Sequence, residues 1–255
     1  MNNPSTRAQI ITRRTYNRPL NEEGTVFETW EQTVSRVIDH QHWIWERAKG
    51  KELNDLEYSE LYDLERIMLD RKVSMSGRCL WLGGTEVSKK REASQFNCSF
   101  TNVETVYDVV DILWLLLQGC GVGFKPVVGT LNGFSKPIKN IQVIKSIRTT
   151  KGGKENNEEF WDSDTKIWRI KVGDSAEAWA KSIGKLLAGK YPANTLILDF
   201  SELRPAGERL KGYGWISSGD KAITEAYIAI VKILNGRADA LLTRIDILDI
   251  INWLG

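Results

Sequence analysis

Gln95-Phe96-Asn97-Cys98-Ser99-Phe100 is followed some twenty residues later by Gly119-Cys120-Gly121-Val122-Gly123-Phe124, and the fold turns on how these two stretches are read. The first is a cysteine held in a short apolar run, the pattern of a strand. Between the two, from about Thr105 to Gln118, Val106, Val109, Val110, Ile112, Leu113, Leu115, Leu116 and Leu117 make a segment apolar nearly all round. That pattern predicts a helix buried between layers. The second stretch reads as a glycine-rich turn, where backbone without Cβ atoms admits a ligand closely. A strand thiol facing such a turn is a candidate redox site.

Working outward toward the C-terminus, Val127 to Lys145 mixes short strand-like runs with turn residues, and the polar, charged stretch Thr149 to Asp164 is expected to be an exposed loop. Ile167 to Val172 reads as a strand, and Asp174-Ser175-Ala176-Glu177 is a helix-start signal ahead of Trp179, Ile183, Leu186 and Leu187. The near-continuous apolar run Thr195 to Phe200 suits a strand covered on both faces. Helical patterns at Lys221 to Leu234 and Thr243 to Leu254 close the chain, the second opened by Thr243 with Asp246 three residues on, a relative of the capping box. Strands alternating with helices predict βα units around a largely parallel sheet or barrel.

Toward the N-terminus, Phe27 to Ala48 carries Trp30, Val34, Val37, Ile38 and Trp45 at helical spacing, and Tyr58 to Leu69 carries Leu61, Leu64, Ile67 and Met68 on one stripe. The tryptophans fall on the apolar stripe, so core packing is their expected role rather than base stacking. Residues up to about Gly24, with Arg13, Arg14 and Arg18 and no periodicity, are expected to form an extended arm. Ser74-Met75-Ser76-Gly77-Arg78 breaks the helical pattern and Trp81-Leu82-Gly83-Gly84 suggests a turn. The division is therefore expected to be α/β overall, with an arm and helical domain over 1–92 and an α/β region over 93–255.

The chain's 255 residues and 42% hydrophobic content are enough for a sizeable core, and a net charge of +2 from 35 basic and 33 acidic residues gives no global pull toward DNA or membranes. No apolar run reaches the roughly 20 residues of a membrane span, and the polar start is unlike a signal peptide, so a cytoplasmic protein is expected. Cys79, Cys98 and Cys120 are far apart, with no Cys-x-x-Cys pair, and His40 and His42 are the only histidines. No metal site is expected from them. The histidines read as surface or helix-packing residues, and a reducing compartment suits the free thiols.

Taken singly, each candidate has a plain alternative. A buried cysteine is most often a small hydrophobe, which fits Cys79 beside Leu80 and Trp81 and also Cys120. Gly121 and Gly123 leave backbone N–H groups open to an oxygen-rich ligand, yet the Lys-Ser/Thr ending of a P-loop is missing. Arg204-Pro205-Ala206-Gly207-Glu208-Arg209-Leu210-Lys211-Gly212 sets Arg204, Arg209 and Lys211 in a loop suited to phosphate, or simply to solvent.

In combination the segments are more specific. Gln95 to Phe100, Gly119 to Phe124 and Leu198-Asp199-Phe200-Ser201-Glu202-Leu203 running into the basic loop resemble, in this order, the N-terminal half of a ribonucleotide reductase catalytic subunit of the adenosylcobalamin-dependent class II type. Ser76-Gly77-Arg78 with Leu80-Trp81, and Ile245-Asp246-Ile247-Leu248-Asp249-Ile250, fit the same family over roughly residues 60 to 255. The resemblance implies that the α/β region is the first half of a ten-stranded barrel. It implies that Cys98 is one of two cysteines that reduce the ribose and become a disulfide. Ser76, Asn97, Cys120 and Gly121 would line the ribonucleotide substrate, largely through backbone groups, and Arg204, Arg209 and Lys211 would lie near a deoxynucleotide effector.

The family's radical cysteine on its finger loop, second redox cysteine, catalytic Glu and Asn, and specificity loop have no counterpart in this sequence, and its start is too short for an ATP-cone domain. The expectation is thus an N-terminal piece, split or truncated, that acts only with a C-terminal half, a thioredoxin-like reductant and adenosylcobalamin. Two alternatives are a class I-like subunit whose radical comes from a separate metal-containing protein, and a non-catalytic nucleotide-binding or assembly module.

Overall fold

A computed structural model describes residues 4–21, 23–149, 153–210, 213 and 215–255, which divide into two compact units, Met1–Asn97 and Cys98–Gly255.

The first unit is helical. Helix α1 (Thr6–Ile11) begins where the Ser5 hydroxyl accepts from the Ala8 amide, and it runs on into a π-helical turn, Thr12–Tyr16. The extended arm expected here is therefore corrected: a serine cap satisfies an orphan N–H and nucleates the turn, a cue that apolar periodicity does not register. Helix α2 (Trp30–Lys49) starts at a Thr29/Gln32 capping box, and α3 (Asp55–Leu69) at an Asn54/Glu57 box. Val34, Val37 and Met68 are fully buried between them, and the Trp30 indole N–H donates to the Met68 carbonyl at 3.0 Å. Helices α4 (Gly77–Leu82) and α5 (Glu86–Lys90) and a 3₁₀ turn (Glu92–Gln95) complete the unit. Gly84, with φ +78°, lets the chain pass against α2, since a Cβ there would meet the Arg36 carbonyl oxygen at 2.6 Å.

The second unit opens with β1 (Cys98–Val103), α6 (Val106–Leu117) and β2 (Gly121–Pro126), and the two strands pair in parallel. A capping box of Thr105 and Asp108 starts α6. Gly119, at φ +80°, ends it: its N–H donates to Leu116 and that of Cys120 to Leu115, the 5→2 and 6→1 bonds of a Schellman motif. The glycine-rich stretch is thus a turn only at Gly119, and from Gly121 it is a strand, because Val122 and Phe124 face the core and draw the alternating glycines into the ladder. Helix α6 buries Val109, Ile112 and Leu113 along one side and leaves Tyr107 78% exposed, so it is not sandwiched all round.

The rest of the unit is a four-stranded sheet in the order β3-β6-β5-β4, with β3 (Asn140–Ile144), β6 (Thr195–Asp199) and β5 (Ile167–Lys171) parallel and β4 (Glu158–Asp162) antiparallel. Strand β4 lies in what was expected to be an exposed loop. Trp161 stands opposite Trp168 of β5 while Glu158 and Phe160 face outward, so a charged edge strand wears the composition of a loop. Helices α7 (Ala176–Ala188), α8 (Lys221–Gly236) and α9 (Arg244–Leu254) complete the unit, and α7 and α9 carry the expected caps at Ser175 and Thr243. Their apolar faces join Trp168, Ile170, Leu196, Leu198 and Phe200 in one core, and Gly184 of α7 brings that helix against Val110 of α6. Among the described residues no helix is long and apolar enough to cross a membrane.

Candidate functional site

Strands β1 and β2 pair Cys98 with Gly121, Phe100 with Gly123 and Asn102 with Lys125. One side of this ladder is closed: Val103 is fully buried, and Val122 and Phe124 pack against the core beneath α6 and α9. On the other side Cys98 and Gly121 are exposed and Phe100 is 67% exposed. The thiol of Cys98 therefore stands on an open face beside backbone that carries no side chain, which leaves room for a ligand at the sulfur. Cys120 is buried, with its Sγ 3.5 Å from the Gly121 carbonyl oxygen, so only its backbone could meet a ligand on that face.

Ser76 and Asn97 belong to the first unit, and the chain passes to the second between Asn97 and Cys98. The Ser76 hydroxyl caps α4, accepting from the Cys79 amide at 3.3 Å, and lies 3.1 Å from the Cys79 sulfur. Asn97 is exposed, and its Oδ1 accepts from Arg78 Nε at 3.0 Å. Arg78 and Asn97 are 19 residues apart, so no local sequence pattern marks Arg78 as a partner of the site.

Of the expected phosphate-loop cations, Arg204 donates from Nε to both carboxylate oxygens of Asp174 at 3.0 Å, so its charge is largely matched within the unit. Arg209 is exposed beside a bridge to Ile216, and Lys211 lies outside the described residues.

A cleft of about 490 Å³, not anticipated, opens at the carboxyl ends of β3, β5 and β6, lined by Ile147, Arg148, Thr149, Lys171, Ser201 and Glu202. Ligands of open parallel sheets commonly bind at such an edge, and that position was the available cue. The Lys171 ammonium, 2.7 Å away, together with the Arg148 guanidinium and the Lys154 amide, holds the Glu202 carboxyl down to about 2. Burial opposes ionisation of Asp199 nearby, but Arg169 and the Ser201 hydroxyl and amide outweigh it and hold that carboxyl below its ordinary range. The cleft is small-molecule sized, far too small for a corrin ring with its nucleotide tail.

Comparison with known proteins supplies the context for this geometry. Residues 4–85 match the family model described as "Ribonucleotide reductase alpha domain", and residues 142–234 match "B12-dependent ribonucleotide reductase, insertion domain". The chain is 27% identical to an adenosylcobalamin-dependent ribonucleoside-triphosphate reductase of Lactobacillus gasseri, over 96% of this chain and 38% of that relative. It is 25% identical to a protein of the same description from Euglena gracilis, over 97% of this chain and 32% of the relative. A crystal structure of a B-12 dependent, class II ribonucleotide reductase shares the fold with a TM-score of 0.76 at 23% identity, over 96% of this chain and 39% of that one.

Fold and sequence together make this mixed α/β chain similar to ribonucleotide reductases. More narrowly, the chain corresponds to the N-terminal part of a catalytic subunit and is most like the adenosylcobalamin-dependent class II enzymes. It spans 38% of the length of the first of these relatives. Among the described residues, four of six strands and the basic loop fall largely in the insertion-domain match, whereas the Cys98 ladder falls outside both matches.

Proposed function

We propose that this chain forms the N-terminal part of a class II ribonucleotide reductase, the first half of its ten-stranded barrel, and takes part in reducing ribonucleotides to deoxyribonucleotides in the cytoplasm. The observation that carries the reading is the exposed Cys98 thiol in register with Gly121 on the open face of a β-α-β unit. In this reading the two thiols of Cys98 and a second cysteine, outside this chain, become a disulfide. Their two electrons and two protons convert the ribose 2'-hydroxyl into a carbon–hydrogen bond and one water. A thioredoxin-like dithiol then restores the thiols by exchange.

Ser76 and Asn97, with the backbone of Cys120 and Gly121, line the substrate, and Arg209 and Lys211, with Arg204 set by Asp174, face a deoxynucleotide effector. Adenosylcobalamin supplies the radical that starts the chemistry. The cleft at the sheet edge, at about 490 Å³, does not fit a corrinoid, so the reading assigns the cofactor to the complete catalytic unit and routes no step of this chain through it. The relatives are described as adenosylcobalamin-dependent, which favours this source over a separate metal-containing subunit. Turnover then requires the rest of the catalytic unit, on the same polypeptide or another. Replacing Cys98 by Ser in the complete reductase should abolish multiple turnover with a dithiol reductant, and undiminished steady-state reduction would refute the role.

A further inference from the structure

Within the helical unit, one guanidinium holds the residue that precedes the candidate redox cysteine. Arg78, half-buried on α4, donates from Nε to Asn97 Oδ1 at 3.0 Å and from Nη1 to the carbonyl of Ser94 at 3.2 Å. Ser94 is fully buried in the 3₁₀ turn, which the Phe96 amide closes by donating to Ala93 at 3.1 Å. Arg78 therefore grips both the wall of the turn and the side chain of the residue bonded to Cys98.

The chemistry of the pair fixes how Asn97 is turned. A guanidinium has donors and no acceptor, so the carboxamide atom facing it must be the oxygen. The Nδ2 group lies at the other end of the carboxamide, on an exposed residue. We propose that Arg78 is a positioning residue: it locks Asn97 with its oxygen inward so that the two Nδ2 hydrogens are presented to an oxygen of the ribonucleotide, a hydroxyl or phosphoryl group. This rests on the reductase reading given above. Lysine cannot replace it fully, because a single ammonium does not reproduce the planar fork that holds two acceptors at once.

The test is a double-mutant cycle in the complete reductase, following KM for ribonucleotide and kcat separately. Arg78→Ala should raise KM about tenfold, the loss of about one hydrogen bond's worth of binding, while kcat changes less than about twofold. Asn97→Ala should do the same. Because both act through one carboxamide, the double variant should bind no more weakly than Asn97→Ala alone. Arg78→Lys should recover part of the loss and runs the same cycle should Arg78→Ala fail to fold, which its Tm reports. An unchanged KM for the arginine variants, or effects that multiply in the double variant, would overturn the proposal. Cys98→Ser is the control that separates the two readings: if it leaves turnover intact the reductase role itself fails, whereas loss of turnover with a multiplicative cycle refutes Arg78 alone.

Discussion

Cys98 and Gly121, the first residues of β1 and β2, stand opposite each other on the uncovered face of the parallel ladder. A glycine in a strand forfeits backbone entropy and side-chain packing even at its first position, so its presence beside a thiol is better explained by close approach than by stability.

Gly121→Val separates the two demands. Valine suits a strand and Gly121 has no positive φ, so the variant should be as stable as the parent or more so in urea unfolding. In the complete reductase its side chain would stand beside the Cys98 sulfur, and kcat/KM should fall at least about tenfold. Retained activity with retained fold would show that the open face is not where substrate binds.

How far this face could be read in the sequence depends on the residue. The Cys98 strand, the α6 helix and the caps at Ser175 and Thr243 are legible because their signals are local. Gly121 and Gly123 misled as a turn because glycine signals freedom, and only Val122 and Phe124 packing into the core makes the stretch a strand. Strand β4 hid behind Glu158, Glu159 and Asp162, charges that an edge strand tolerates. The Arg204–Asp174 pair joins residues thirty apart, and no local pattern reports it.

The Thr105/Asp108 box fixes where β1 hands over to α6, with Asp108 Oδ2 accepting from the Thr105 amide at 2.7 Å and the Glu104 amide at 3.0 Å. Thr105→Ala should destabilise the second unit by about 1 kcal/mol, the usual worth of an N-cap. Chemical denaturation followed by far-UV circular dichroism measures it.

Arg204 and Arg209 should behave differently although both lie in the basic loop. Arg204→Ala removes the guanidinium whose Nε is shared by both oxygens of the buried Asp174 carboxylate and should cost about 2 kcal/mol. Arg209→Ala, on an exposed side chain, should change stability by less than about 0.5 kcal/mol. Under the effector reading it should nevertheless weaken deoxynucleotide binding, which calorimetry on the complete reductase detects.

Acid should affect the first unit before the second. Burial, then the Lys89 and Arg36 cations, hold the His40 imidazole below its ordinary 6.5, with Glu92 opposing. The unfolded chain takes up that proton where the folded unit does not, so stability is complete above 6.5 and falls as pH drops below it. Glu202 acts in a lower window: its stabilising contribution is present above 4.5 and is lost as pH falls toward about 2. Urea unfolding from about pH 8 to about pH 5 should show a slope that His40→Leu flattens.

The central claim, that Cys98 is one half of a reducing pair, is tested most directly by mapping thiols after a single turnover. The complete reductase, pre-reduced and freed of external dithiol, is given substrate, alkylated and digested for mass spectrometry. The account predicts that Cys98 becomes protected from alkylation and is recovered in a disulfide with a cysteine outside this chain, while Cys79 and Cys120 stay reduced. Product formation with Cys98 still fully alkylatable would contradict it.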